Sequence, residues 1–190
     1  SPDILWNDDD GDNLFNLGEY LCNCDPQVPD SDSGGINDGA EKAEGRKCNS
    51  GLDDYSVAEL TIGDTTSITS GPDRGRGNEF RVTSPTVLKS YSQYLYVASG
   101  SSLNYAVYEG DTVGGPYTKI FDRGVHISTG KEAWYDSGPI DVLMVPGKTY
   151  LVISFWRTGT YYYGPYPTSP PYPLFFGDAV QGVQLSSTYP

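Results

Sequence analysis

Two acidic segments near the start of the chain carry the side chains and the spacing needed to bind a hard metal cation. Residues 8–19 read DDDGDNLFNLGE, and residues 30–41 read DSDSGGINDGAE. Numbered from the first aspartate, carboxylates stand at positions 1, 3 and 5 of the first segment and at positions 1 and 3 of the second. Both have an apolar residue at position 7, an aspartate or asparagine at position 9 and a glutamate at position 12. This is the ligand order of an EF-hand-type calcium loop.

The coordination chemistry of calcium explains this spacing. Ca²⁺ takes six to eight oxygen ligands at about 2.3–2.6 Å. A tight turn directs alternate side chains inward, and the Asn or Gly at position 6 accepts the unusual backbone angle. Position 7 contributes its carbonyl oxygen, and the glutamate at position 12 supplies both carboxylate oxygens. We therefore predict about two Ca²⁺ ions. The predicted ligands are Asp8, Asp10, Asp12, Leu14, Asn16 and Glu19 in the first segment, and Asp30, Asp32, Ile36, Asp38 and Glu41 in the second.

The stretch from residue 8 to residue 48 resembles thrombospondin type 3 repeats in their bacterial form. The motifs that carry the resemblance are DxDGDxLxN, DPxxPDSD and GIxDGxE. In that family the repeats wrap around calcium, have little apolar core and serve as spacers in secreted and surface proteins. The resemblance therefore implies an extracellular or cell-surface protein. It also marks two departures: Asn16 replaces a frequent aspartate, and Gly34 stands where an aspartate is usual, so the second site is expected to be weaker or to use Asp25.

The charge of the chain is concentrated in its first part. The whole sequence carries a net charge of −13, but residues 1–55 hold 14 acidic and 3 basic residues, whereas residues 56–190 hold 11 and 9. We predict a calcium-binding repeat segment at 1–55 and a separate domain at 56–190. The negative charge argues against nucleic acid as a partner. No apolar run approaches the roughly 18–20 residues that span a bilayer, so no membrane span is predicted.

All three cysteines, Cys22, Cys24 and Cys48, lie in the acidic segment. A segment with so few apolar residues usually needs a covalent crosslink, and a disulfide is therefore expected between Cys48 and either Cys22 or Cys24. The remaining cysteine is then free or bonded to another chain. A zinc site is disfavoured because the chain has one histidine, His126, which is far away in the sequence.

Residues 56–190 have the pattern of a mainly β domain. Short runs alternate apolar and polar residues and are separated by Gly, Pro, Asn and Ser, which predicts an antiparallel β-sandwich or jelly roll of about ten strands. The predicted strands are 56–62, 79–83, 87–98, 103–109, 117–121, 140–145, 149–156, 160–163, 174–176 and 179–185. The segments GNEFRVT (77–83) and GTYYYG (159–164) give this part a loose similarity to β-sandwich domains of secreted bacterial surface proteins.

The residues leave two classes of function open for the whole chain. An enzyme is not expected, since the single histidine, His126, has no cysteine in the same region for a triad, and most acids of the second part are expected in turns. The first hypothesis is an extracellular, calcium-stabilised structural or assembly protein, the subunit of a filament or surface layer, with copies of itself or surface proteins as partners. The alternative is a carbohydrate-binding or adhesive module that binds polysaccharide. The aromatic residues available for either contact are Tyr161, Tyr162, Tyr163, Tyr166 and Tyr172, and Trp134 and Trp156 are also available for stacking on a sugar.

Overall fold

The protein is described by a computed structural model that covers residues 2–54, 59–62, 69–70, 75–97, 99–156, 162–163 and 170–185. The chain divides into two compact units, Ser1–Ala58 and Glu59–Pro190, with a boundary three residues beyond the predicted one. We refer to them as the first unit and the second unit. None of the helices in the described residues combines the length and the apolar character needed to cross a bilayer.

The first unit contains three short helices joined by loops. A 3-10 helix, Pro2–Trp6, is followed by α1 (Asn16–Cys22) and α2 (Asp38–Glu44). Each α-helix starts at position 9 of an acidic loop and ends at a left-handed residue, Asn23 (φ 64°) or Gly45 (φ 77°). The two helices are offset by 22 residues and share their cap geometry, so the acidic segments are structural repeats of each other. Seven-residue helices are too short to produce a hydrophobic period, which is why the sequence pattern did not predict them.

The buried side chains of the first unit are mainly polar and acidic, unlike those of an ordinary hydrophobic core. Among its described residues, the buried apolar side chains are those of Cys24, Pro26 and Cys48. The buried polar side chains are Asp12, Asn16, Glu19, Asp38, Glu41 and Asp54. Carboxylates in such positions oppose folding unless something compensates their charge.

A disulfide joins Cys24 to Cys48, with their Cα atoms 6.1 Å apart, and confirms the predicted crosslink. The structure selects Cys24 because this residue follows the left-handed turn at Asn23, whereas Cys22 still lies in the last turn of α1. Cys22 has no disulfide partner and accepts a hydrogen bond from Lys42 Nζ at 3.0 Å.

The second unit is an antiparallel β-sandwich, as predicted. Its described strands are β1 (Thr69–Ser70), β2 (Gly75–Val82), β3 (Thr86–Leu88), β4 (Ser92–Val97), β5 (Ser101–Gly110), β6 (Tyr117–Ile127), β7 (Lys131–Asp136), β8 (Val142–Met144), β9 (Thr149–Trp156), β10 (Tyr162–Tyr163), β11 (Tyr172–Leu174) and β12 (Gly177–Leu185). Six of them form one sheet in the order β11-β12-β2-β9-β5-β6. The others pair as β3–β8, β4–β7 and β1–β10.

Strand β9 is the centre of the second unit, because it is buried along its whole length between β2 and β5. On one face of this sheet, Leu95 and Val97 of β4 pack with Leu103 of β5. On the same face Met144 of β8 packs with Val152 of β9. The pairs β4–β7 and β3–β8 therefore form the opposing layer of the sandwich.

The strand prediction differs from the structure at several points. The predicted strand 87–98 is divided into β3 and β4, the predicted strand 174–176 lies mostly in the turn after β11, and β1 was not predicted. Residues 59–62, the described part of the predicted strand 56–62, are not in a strand. Conversely, β7 was not predicted, because KEAWYD opens with two charged residues and has too short an alternation to stand out. It is held instead by its partner β4, which it pairs with from Ser92↔Asp136 to Val97↔Lys131.

Candidate metal centre

Each acidic loop is folded by hydrogen bonds from its own backbone to its first carboxylate. Asp8 Oδ2 accepts from the N–H of Asn13 at 3.1 Å, and Asp30 Oδ2 accepts from the N–H of Gly35 at 3.0 Å. Asn13 and Gly35 occupy position 6, and both have positive φ, 76° and 100°, in agreement with the loop pattern. The two loops therefore close around the same turn, 22 residues apart in the sequence.

The side chain at position 9 ties each loop to its second residue. Asn16 Oδ1 accepts from the N–H of Asp9 at 3.2 Å, and Asp38 Oδ1 accepts from the N–H of Ser31 at 2.9 Å. The amide nitrogen of Asn16 donates to Asp9 and to the carbonyl of Ile4. The predicted ligands Asn16 and Asp38 therefore stabilise the conformation of their loops, in addition to any contact with an ion.

The apolar residues at position 7, Leu14 and Ile36, are both half-buried. Leu14 lies against α1, since a Cβ placed on Gly18 would be 2.7 Å from its Cδ1 atom. The side chain thus packs on the helix that follows the loop, which leaves the backbone carbonyl as the group available to a cation.

The glutamates at position 12 are the most unusual residues of the unit. Glu19 and Glu41 are both 0% exposed, and neither of the two carboxylate oxygens of either residue has a hydrogen-bond partner. Burial, followed by the charge of Asp10, raises the pKa of Glu19 to about 7. Burial and the adjacent carboxyl of Asp54 raise the pKa of Glu41 well above its ordinary value. An unpaired buried carboxylate costs several kcal/mol, so these positions call for a cation.

Carboxylates converge in three groups, and within each group one oxygen per residue lies within 4.8 Å of the others. The groups are Asp8 with Asp10 and Asp12, Asp12 with Glu19 and Asp38, and Asp32 with Glu41 and Asp54. Asp12 belongs to two groups, so the first loop forms one continuous cluster that also includes Asp38 of the second loop. Like charges at such distances repel strongly unless a cation lies between them.

A buried carboxylate of the second unit provides an internal comparison. Glu79 is 1% exposed, but its oxygens accept hydrogen bonds from the N–H of Gly114 at 2.8 Å, from Gln181 Nε2 at 2.5 Å and from the hydroxyl of Tyr117. This chain therefore satisfies a buried glutamate with hydrogen bonds where the residue is structural. The carboxylates of Glu19 and Glu41 have no such partners.

One residue of these clusters, Asp54, was not among the predicted ligands. It follows Glu41 by 13 residues and so lies outside the twelve-residue loop pattern. The available signal was the repeat itself, because Asp10, Asp32 and Asp54 are spaced at intervals of 22. Asp25, the residue expected to supplement the second site, instead holds a turn: its Oδ1 accepts from the N–H of Gln27 at 3.1 Å.

The predicted aromatic contacts are only partly within the described residues. Tyr161 and Tyr166 lie outside them. The backbones of Tyr162 and Tyr163 form β10, paired with Ser70 and Thr69. Tyr172 begins β11 at one edge of the six-stranded sheet and is half-buried.

A different set of aromatic residues is exposed on the pair β4–β7. Tyr94 and Trp134 are cross-strand neighbours, and their rings pack edge to face with their centroids 5.5 Å apart. Trp134 is 52% exposed and Tyr96, two residues along β4 from Tyr94, is 38% exposed. These side chains point away from the core, because Leu95 and Val97 point into it.

Comparisons of the chain with protein-family models, with curated proteins and with solved structures find no match.

Proposed function

We propose that the first unit binds two Ca²⁺ ions and folds around them, in a non-catalytic structural or assembly protein of the cell surface. The observation that carries the metal proposal is the complete burial of Glu19 and Glu41 with no hydrogen-bond partner for any of their carboxylate oxygens. Two bound divalent ions would reduce the net charge of residues 1–55 from −11 to −7. They would also stabilise the centre of the first unit, which has few buried apolar side chains.

The donor set favours calcium over other common metals. The three carboxylate groups contain oxygen donors only, unlike the Cys and His ligation typical of zinc. The sulfur atoms of Cys24 and Cys48, which lie near Asp38, are committed to the disulfide. Mg²⁺ usually retains several waters and one or two carboxylates, whereas Ca²⁺ accepts a crowded shell of carboxylates and carbonyls. The disulfide also fits an oxidising, extracellular compartment.

Calcium titration of the whole chain by calorimetry tests the metal proposal. We expect two ions in the wild type and the loss of one ion in each of the variants Glu19→Gln and Glu41→Gln. The matched control is Glu44→Gln, in the same helix as Glu41, because Glu44 is exposed and paired with Arg46 at 2.8 Å. Absence of calcium binding by the wild type, or equal binding by all four proteins, would refute the proposal.

Self-association is supported by the edge of the large sheet. β6, the terminal strand, is eleven residues long and pairs with β5 alone among the described strands. A long edge strand is a ready site for the addition of a strand from another copy. Cys22, which has no disulfide partner, offers a covalent contact between chains.

Sedimentation and electron microscopy of the calcium-loaded chain test this assembly. We expect polymers, and we expect a lysine in β6 to suppress them, since edge charges block strand addition. Ile120→Lys is the test variant, because Ile120 is 42% exposed within β6. Val113→Lys is its control, since Val113 has a similar exposure of 38% but lies outside the strands. A monomeric wild type would contradict the assembly and leave calcium binding standing.

The second candidate, carbohydrate binding, is favoured by the exposed rings of Tyr94, Tyr96 and Trp134. Flat aromatic faces on a sheet give a sugar ring a stacking surface. Affinity electrophoresis through polysaccharide gels separates this function from assembly. Retardation that is lost in Trp134→Ala and kept in Trp6→Ala, a control at a 64% exposed tryptophan of the first unit, would favour the binding module.

A further inference from the structure

Gly34 occupies position 5 of the second acidic loop, and the space where its side chain would lie is filled by another residue. An ideal Cβ on Gly34 would be 1.7 Å from Asp54 Oδ2 and 2.8 Å from Asp32 Oδ1. The φ angle of Gly34 lies outside the left-handed region, so the backbone there does not itself demand glycine. What excludes a side chain is chiefly the carboxylate of Asp54, which fills the space that the side chain of a fifth loop residue would take.

Asp54 is held in this position by the fold of residues 46–54. Arg46 Nη1 donates to the carbonyl oxygen of Asp53 at 2.8 Å, and the N–H of Lys47 donates to Asp53 Oδ2 at 3.2 Å. Cys48, between these contacts, is anchored to Cys24 by the disulfide. Gly51 lets the segment approach closely, because a Cβ there would lie only 3.0 Å from Gly34 Cα.

The carboxylate of Asp54 is also unsatisfied. Asp54 is 5% exposed, neither of its oxygens has a hydrogen-bond partner, and it converges with Asp32 and with the fully buried Glu41. Apart from the carboxyl–carboxyl contact with Glu41, which raises the pKa of Glu41, no hydrogen bond accounts for its burial. A cation bound by the three carboxylates would.

We propose that Asp54 is a ligand of the second calcium site and replaces the side chain that Gly34 lacks. This inference rests on the proposed function of the first unit, but it goes beyond the twelve-residue loop and assigns the site a ligand from outside it. It gives the second site the carboxylate that position 5 of its loop lacks. It also means that the second ion holds residue 54, close to the end of the first unit.

An exchange of the carboxylate between the two positions tests the proposal. In calcium calorimetry on the whole chain, Asp54→Asn is expected to weaken the second site by about tenfold or more, because affinity follows the charge of the ligands. The double variant Gly34→Asp with Asp54→Ala returns a carboxylate to position 5 and removes the group that obstructs it, and we expect it to restore binding of the second ion. Gly34→Asp alone brings two carboxylates into one space and should impair the site.

The outcomes separate this proposal from the proposed function. If Asp54→Asn binds two ions with wild-type affinity while Glu41→Gln loses one, Asp54 is not a ligand, although the unit binds calcium. If Asp54→Asn loses the second ion and the double variant does not recover it, Asp54 acts through packing and the proposal is overturned. If the wild type binds no calcium, the proposed function fails, and this inference fails with it.

Discussion

The carboxylate of Asp12 accepts a hydrogen bond from the backbone N–H of Gly39 at 2.6 Å, which joins the first acidic loop to the first turn of α2. The contact is close, since a Cβ on Gly39 would lie 2.3 Å from the carbonyl oxygen of Asp12. The carboxylate of Asp38, adjacent to Gly39, converges with those of Asp12 and Glu19. The carboxylate of Glu41, on the same helix, converges with those of Asp32 and Asp54 at the second proposed site. The geometry that would bind one ion therefore positions ligands of the other, and we expect the two sites to be coupled.

Gly39→Ala tests this coupling without removing a carboxylate. The added methyl group collides with the backbone of the first loop, and overpacking of this kind typically costs about 1–3 kcal/mol. We expect lower calcium affinity at both sites and faster hydrogen exchange throughout residues 2–54, measured by mass spectrometry. Ala40→Ser, at the exposed neighbouring position, is the control and should behave as the wild type. An effect confined to one site would argue that the sites are independent.

Removal of calcium should unfold the first unit and spare the second. The first unit has a net negative charge, which opposes folding, and few buried apolar side chains. Without metal, it cannot offset the loss of chain entropy on folding, about 1–2 kcal/mol per residue. The second unit has its own core around β9, including Ile153 and Phe155 at 0% and 1% exposure. In a chelator, limited proteolysis should cut within the first unit while the strand signal in circular dichroism remains. Unchanged protease resistance would count against a structural role for the metal.

Unfolding of the metal-free first unit should be most complete at high pH, because protonation at low pH neutralises a buried carboxylate. Its folded state raises the pKa of Glu19 from 4.5 to about 7 through burial and then the charges of neighbouring aspartates, so folding takes up a proton. The stability from this group is present below pH 4.5 and disappears as the pH rises through about 7. With calcium present, the stability of the first unit should instead rise with pH, because protons compete with the ion for the same oxygens.

Hydrogen exchange at pH 5 and pH 8 measures both responses, on protein stripped by a chelating resin and on protein with calcium restored. Glu19→Gln should reduce the pH dependence of the stripped protein, since the amide does not titrate, and the raised pKa of Glu41 should account for the remainder. Parallel pH profiles with and without calcium would show that Glu19 is not in the metal site.

Breaking the disulfide should weaken the calcium-loaded first unit. Closure of the loop between Cys24 and Cys48, which are 24 residues apart, contributes about 2–4 kcal/mol in the chain-entropy description. The double variant Cys24→Ser with Cys48→Ser should unfold at lower denaturant and bind the second ion more weakly, because the crosslink anchors the segment that carries Asp54. Cys22→Ser serves as the control, and an equal loss in that variant would mean that the effect does not come from the crosslink.

Local spacing was sufficient to predict much of this protein. The acidic loops, the positive φ at Asn13 and Gly35, the crosslink to Cys48 and the antiparallel sandwich all follow from residues a few positions apart or from period-2 alternation. Such features are encoded locally, because backbone angles, ligand order and strand alternation depend on near neighbours in the chain.

Contacts between distant residues could not be read in this way. Asp54 fills the space at Gly34 from 20 residues away, Cys24 rather than Cys22 reaches Cys48 because α1 ends in the left-handed turn at Asn23, and β7 exists because it pairs with β4. Each outcome depends on where the folded chain brings a segment back against an earlier one. The sequence alone therefore determined the ligand order of the acidic loops, whereas the tertiary fold decided that Asp54 lies against the second of them, because only the folded chain brings these residues into one space.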